Sequence, residues 1–265
     1  MDADDATIGV IHSRREVLKW ALATGAVAAF PAQALAFVQQ AEKQKTGLVA
    51  SPMLTEGPFF VDEKLDRRDL RAGTKRSAVV GGKPLVINVK VMKLVGSAFV
   101  PFAGAQVDIW HCDASGVYSD VSSPMNHEDT SGEKWLRGFQ KTDNDGSATF
   151  ETIVPGAYPG RAPHIHFKVR KYNADAHATA DLTSQMFFVP EQIGAVYKNA
   201  PYGRQFTSNL QDSIYNERGA GGGRAGDQLL LGLKSNGKGY VSPFTIVLTD
   251  ANFREGREDL DWATF

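Results

Sequence analysis

Apolar and polar positions alternate with period two over several short stretches of the chain. Residues 84–91 run Pro-Leu-Val-Ile-Asn-Val-Lys-Val, rich in β-branched side chains, and read as a strand. Residues 105–112 read as a second, with Val107, Ile109 and His111 on one face. Segments 135–140, 148–154 and 182–189 supply three more. Past Pro163, His164, His166 and Lys168 fall on one face of a strand and Ile165, Phe167 and Val169 on the other, the apolar set facing the core. Asp143-Asn-Asp-Gly146 superficially suggests a calcium loop, but Lys141 and Thr152 stand where an EF-hand needs carboxylates, so a hairpin turn is expected. Two short helices are expected: 190–197, with Ile193, Val196 and Tyr197 as its apolar face, and one opened by the capping-box spacing Ser208-Asn-Leu-Gln211. Segments 229–233 and 241–248 suggest a final hairpin across Ser235-Asn-Gly-Lys-Gly239. The charged stretch 62–71 reads as a solvated loop, 119–134 as a loop over one end of the sheets, and 219–223 as a flexible loop lacking the Lys-Ser/Thr of a phosphate site. With no repeat and no βαβ alternation, the pattern predicts an all-β fold, a β-sandwich with long loops and a few short helices.

The amino terminus follows a different pattern. Ser13-Arg-Arg-Glu-Val-Leu-Lys19 precedes a weakly apolar run over 20–30, and Ala34-Leu-Ala36 supplies a small-x-small cleavage pattern. The paired arginines resemble a twin-arginine export signal. The run is too short and too alanine-rich to span a membrane. The expected organisation is therefore a signal peptide over 1–36, a linker over 37–54 and one catalytic-size sandwich over 55–265, with the mature chain exported to the periplasm or beyond the cell. Composition changes this picture little. A formal net charge of -1 offers no basic field for nucleic acid or anionic membrane. The one cysteine, Cys112, excludes an intrachain disulfide and reads as a small buried hydrophobe.

The candidate chemistry lies in the bend before the His-x-His strand. Two imidazoles two residues apart suit a single metal ion, although the same spacing also serves as a plain polar strand face. Tyr118 sits just past a strand end, and Tyr158 lies in the bend leading to His164. A phenol, with its pKa of about 10, ligates only where a strongly charged metal displaces its proton. Phenolate oxygen beside imidazole suits a hard, high-valent ion such as Fe(III) better than zinc. Composition alone does not select these tyrosines from the seven present.

Four ordered blocks carry a resemblance. Trp110-His-Cys-Asp-Ala-Ser-Gly-Val-Tyr118, Leu136-Arg-Gly-Phe-Gln-Lys-Thr-Asp143, Pro155-Gly-Ala-Tyr-Pro-Gly-Arg-Ala-Pro-His-Ile-His-Phe167 and Leu182-Thr-Ser-Gln-Met-Phe187 together resemble the intradiol ring-cleavage dioxygenases. That family includes protocatechuate 3,4-dioxygenase and the catechol dioxygenases, and the resemblance runs from about Thr55 to Val189. It implies a β-sandwich holding non-haem Fe(III) through Tyr118, Tyr158, His164 and His166. Arg161 and Gln185 match the active-site arginine and glutamine, and Tyr158 matches the ligand that leaves and accepts a substrate proton. The implied partners are a small aromatic diol and O2, the ring being cut between its two hydroxyl-bearing carbons to a muconate-type diacid; homo-oligomer formation stays open. The segment from Tyr158 to His164 is shorter than in the best-known members and resembles the compact form of exported ones. No long helical amino-terminal region like the dimerisation segment of catechol 1,2-dioxygenases is present. Two rivals remain. A secreted, non-catalytic β-sandwich binding module gives no reason for Tyr158, Arg161, His164 and His166 to occur in this order. A cupin-like metal enzyme wants a glutamate four or five residues past the second histidine, where Arg170 and Lys171 stand. His111 reads as structural beneath the Tyr118 turn, and His127 and His177 as ordinary histidines.

Overall fold

The computed structural model describes residues 48–72, 81–203, 205–253 and 255. The expected signal peptide and the linker residues 37–47 lie outside them. Ten strands, one α-helix and four short 3-10 turns make up the regular structure of the described residues. The first sheet holds β1 (Pro84–Val95), β2 (Ala98–Pro101), β5 (Ser147–Ile153), β9 (Lys234–Ser235) and β10 (Tyr240–Leu248). The second runs β4 (Arg137–Lys141), β3 (Gln106–Trp110), β6 (His164–Tyr172), β7 (Ala178–Phe188) and β8 (Leu230–Leu231) in that order.

Period-two alternation places the core between these sheets. Leu85, Ile87, Val89 and Val91 of β1 and Phe244, Ile246 and Leu248 of β10 share one buried cluster with Val107 and Ile109 of β3 and Ile165, Phe167 and Val169 of β6. Phe167 and Phe244 meet across the two layers, ring centroids 5.7 Å apart. Burying an aliphatic or phenyl side chain contributes about 1.5–3 kcal/mol, so this inner face is what fixes the strand registers. Helix α1 (Pro190–Tyr197) follows β7 directly, starts on a proline whose missing N–H is needed by no helical bond, and buries Ile193, Val196 and Tyr197 as the pattern predicts. The Asp143 turn is a hairpin connection, with the N–H of Ser147 and of Asp145 both donating to Asp143 Oδ1 at 2.8 and 2.9 Å.

Several expectations are corrected. Segments 229–233 and 241–248 do not form a hairpin: Leu230–Leu231 pairs in parallel with β7, whereas β10 pairs in parallel with β1 in the other sheet. Their apolar side chains face the same core from opposite layers, and only Lys234–Ser235 turns back on Tyr240 and Val241. The helix expected to open at Ser208 and run toward Ile214 is a single 3-10 turn, Asn209–Gln211, though Gln211 Oε1 does accept from the Ser208 N–H at 3.1 Å. The stretch 62–71 is more than a solvated loop. Asp66 bridges Phe139 in one sheet, Asp69 bridges Glu151 in the other, and Leu70 is buried. Residues expected at the end of the linker already belong to the fold, since Ser51 and Leu54 are buried and donate their N–H groups to Val247 O and Thr183 O.

Candidate active site

Strand register assembles the site. β6 pairs with β3 so that His166 stands opposite Trp110, and with β7 so that His166 stands opposite Gln185. Directly opposed residues project from the same face, so both imidazoles, Trp110 and Gln185 lie together on the side turned away from the inter-sheet core. The Trp110 indole stacks on the His166 ring at 4.9 Å with an 11° tilt. The segment 55–60 lies over the same face: at Gly57, φ +72°, an added Cβ would sit 3.3 Å from His166 Cε1. Further along β6, the Lys168 ammonium pairs with Glu56 and lies 4.3 Å from the Phe60 ring centre.

The two tyrosines arrive on loops that touch. Past β3, Asp113 Oδ1 accepts from the N–H groups of Ser115 and Val117 at 2.8 and 3.0 Å and turns the chain toward Tyr118. Gly116, φ +92°, passes so close to the Tyr158 loop that a Cβ would lie 2.4 Å from Ala157 O, which only glycine allows. The Tyr118 peptide is paired by a side chain. Its N–H donates to Asn126 Oδ1 at 2.7 Å, and Asn126 Nδ2 donates back to Tyr118 O at 2.9 Å. Beneath it the buried Arg137 guanidinium donates to Ser119 O and to Phe59 O at 2.7 Å, joining the Tyr118 loop to the 55–60 segment. Burial lowers the Arg137 pKa to about 10.

At the centre, Tyr158 Oη lies 3.0 Å from His164 Nε2, and His164 Nε2 lies 3.1 Å from His166 Nε2. His164 Nδ1 is 2.6 Å from Ala162 O. A carbonyl only accepts, so Nδ1 carries the proton and Nε2 presents its lone pair to the cluster. Burial, first among the causes, holds both imidazoles well below the usual histidine range, which keeps them neutral. Tyr118 Oη is buried and has no hydrogen-bond partner among the described residues, and its ring stands edge-on to that of Tyr158 with centroids 5.8 Å apart. Burial raises the Tyr118 pKa well above 10 and pushes that of the half-buried Tyr158 up to about 12.

These residues fit a bound cation. An ion held at about 2.1 Å from nitrogen and oxygen donors sets its ligands roughly 3 Å apart, the spacing of the Tyr158, His164 and His166 atoms. Without a cation, the buried Tyr118 hydroxyl and His166 Nδ1 have no hydrogen-bond partner among the described residues, which is costly. Among the described residues, no group of three or more His, Cys, Asp or Glu is placed to hold a metal ion, so the cluster depends on its tyrosines. Beside it, the Arg161 Nε donates to Asp212 Oδ2 at 3.0 Å and Nη2 to Gln185 Oε1 at 2.5 Å, while Gln185 Nε2 donates to Thr55 O at 2.8 Å.

A family model described as "Dioxygenase" matches residues 55–195. The chain belongs to the intradiol ring-cleavage dioxygenase family. Its structure is similar to an intradiol ring-cleavage dioxygenase from Tetranychus urticae, with a TM-score of 0.62 and 25% identity over 76% of this chain and 95% of that one. It is also similar, at 28% identity and a TM-score of 0.51 over 76% and 99% of the two chains, to the dioxygenase domain of a carbohydrate-binding fusion from Streptomyces sp. SirexAA-E. Among curated proteins it matches a chlorocatechol 1,2-dioxygenase of Pseudomonas sp. strain P51 at 31% identity over 50% of this chain and 53% of that protein. A chlorocatechol 1,2-dioxygenase of Pseudomonas putida matches at 29% over 40% and 42%. The chain thus spans about half the length of the curated relatives it matches. Within this dioxygenase fold the six site residues singled out from the sequence, Tyr118, Tyr158, Arg161, His164, Gln185 and His166, are all brought together. His111 lies apart from the cluster, Nδ1 at 2.7 Å from Cys112 O and Nε2 at 2.7 Å from Thr152 Oγ1. His127 is exposed at the end of the Pro124–Asn126 turn. Cys112 is buried, and burial raises its thiol pKa. Sequence reasoning missed Asn126, Arg137 and Asp212. Arg137 lies within one of the family-like blocks, but nothing in the sequence marks the other two.

Proposed function

We propose that the chain binds a non-haem ferric ion through Tyr118, Tyr158, His164 and His166 and cleaves a catechol-type ring with O2 between its two hydroxyl-bearing carbons, giving a muconate-type diacid. The observation that carries this reading is the convergence of Tyr158 Oη and the two Nε2 atoms at 3.0 and 3.1 Å beside the orphan Tyr118 hydroxyl. When bound, such an ion supplies Lewis acidity and a template for both reactants.

The protein's own groups divide the remaining work. Tyr158 is the more accessible phenol, half-buried where Tyr118 is sealed, so it is the phenolate placed to take a proton from a substrate hydroxyl. Tyr118, fully buried and held at its peptide by Asn126, stays in place. Arg161 offers permanent positive charge to the anionic diol, and a partly buried guanidinium stabilises charge more than one in water. Phe59, Val121 and Trp110 pack around Tyr118 and Tyr158 and keep bulk water from the cluster.

Metal analysis and a visible spectrum of the purified chain test the assignment, followed by oxygen uptake with catechol, a chlorocatechol, hydroxyquinol and protocatechuate. Stoichiometric iron, a red-brown tyrosinate band and diacid product are expected. A colourless, iron-free chain inert toward all four diols would leave a binding module instead. The chain is further proposed to be exported through its Arg14-Arg15 signal; an Arg14→Lys, Arg15→Lys precursor should stay inside the cell, and undiminished export would exclude that route.

A further inference from the structure

We infer that Asp212 is a positioning residue that aims the Arg161 guanidinium at the substrate, an inference that rests on the function proposed above. Asp212 lies 51 positions along the chain from Arg161, on the loop after the 3-10 turn Asn209–Gln211, yet is fully buried against the bend that carries it. Its two oxygens divide their duties. Oδ1 accepts the N–H groups of Ile214 and Tyr215 at 2.8 and 3.3 Å, which locks the carboxylate to its own loop. Oδ2 faces the bend, accepting the Ala162 N–H at 2.9 Å and Arg161 Nε at 3.0 Å. Nε also reaches Oδ1 at 3.2 Å.

Gln185 takes Nη2 of the same guanidinium. A planar group held at two of its three nitrogens has one orientation left. Among the described residues Nη1 makes no hydrogen bond, so it is the edge presented to a ligand. Without Asp212, Arg161 would hang from one bond to Gln185 on a flexible stem. Displacing a catalytic group by about 1 Å costs about 100-fold in rate.

Asp212→Asn in the full-length, iron-loaded chain keeps the side-chain volume and removes the carboxylate. Its kcat should fall by about 100-fold with KM changed less than about threefold. In an Arg161→Ala background the same substitution should add less than about threefold, because the group it aims is gone. An equal cost in both backgrounds would make Asp212 merely structural and overturn the inference. Arg161→Lys, which keeps the charge and spares Asp212 itself, should lose rate by a similar factor; a full rate would overturn it too. In the metal-free chain, the Arg161 Nε–H proton should exchange with solvent at least about tenfold faster in Asp212→Asn than in the parent. Unchanged exchange would show that Asp212 does not hold Arg161. That arm needs no turnover, so a parent chain without ring-cleaving activity would sink the proposed function and still leave the Asp212–Arg161 coupling decided.

Discussion

Tyr118 and Tyr158 carry the same functional group in unequal surroundings, one orphaned and sealed, the other half-open beside Arg161. Tyr158→Phe should therefore fold normally, slow kcat by about 100-fold or more and shift the visible band; an unchanged rate and colour would exclude it as ligand and base. His111 offers a separate test, of stability. Its ring is buried between Cys112 O and Thr152, and desolvation lowers its pKa from 6.5 to about 4. The unfolded chain therefore takes up this proton first as pH falls. The contribution is intact above pH 6.5 and is lost as pH drops toward 4, on the order of 3 kcal/mol in all. Thermal melts of the metal-free parent should fall more steeply between pH 7 and 4 than those of His111→Gln; parallel curves would contradict the assigned burial. At this scale the ligand candidates were legible because they sit within contiguous motifs, whereas Asp212 was not. It stands between Gln211 and Ser213 in a polar run, and only the fold carries it to Arg161.

At the scale of elements, the 119–134 loop is organised by a side chain that imitates a strand. Asn126 satisfies both the N–H and the C=O of Tyr118, and Thr130 Oγ1 donates to the same carbonyl at 2.6 Å. Asn126→Ala leaves the buried Tyr118 N–H without its acceptor. A loss of about 1–3 kcal/mol in urea unfolding is expected, with weaker retention of iron because Tyr118 is no longer held; wild-type stability would show that water replaces the amide without cost. Strand β6 and helix α1 were readable from the sequence since each presents a clean period, Ile165-Phe167-Val169 for one and Ile193-Val196-Tyr197 for the other. The pairing of 229–233 was not. Apolar content says that Leu231 is buried, but which layer claims it is settled by β7, whose Phe187 N–H reaches Leu229 O at 2.9 Å.

For the whole molecule, an ion joining Tyr118, Tyr158 and the β6 histidines would tie two loops from separate parts of the chain to one sheet. Chelation should bleach the protein and lower its melting temperature, and at free iron a thousandfold above its dissociation constant the stabilisation amounts to about 4 kcal/mol; identical melts with and without chelator would place the ion elsewhere or nowhere. The sandwich itself was legible from strand spacing, but its closure was not. Among the described residues β1, the earliest strand, runs parallel to β10, the last, from Leu85↔Tyr240 to Lys93↔Leu248, and β10 brings Phe244, Ile246 and Leu248 to the core. Until β10 docks, β1 therefore keeps one edge unpaired, so this layer closes only when segments from opposite ends of the described fold have met.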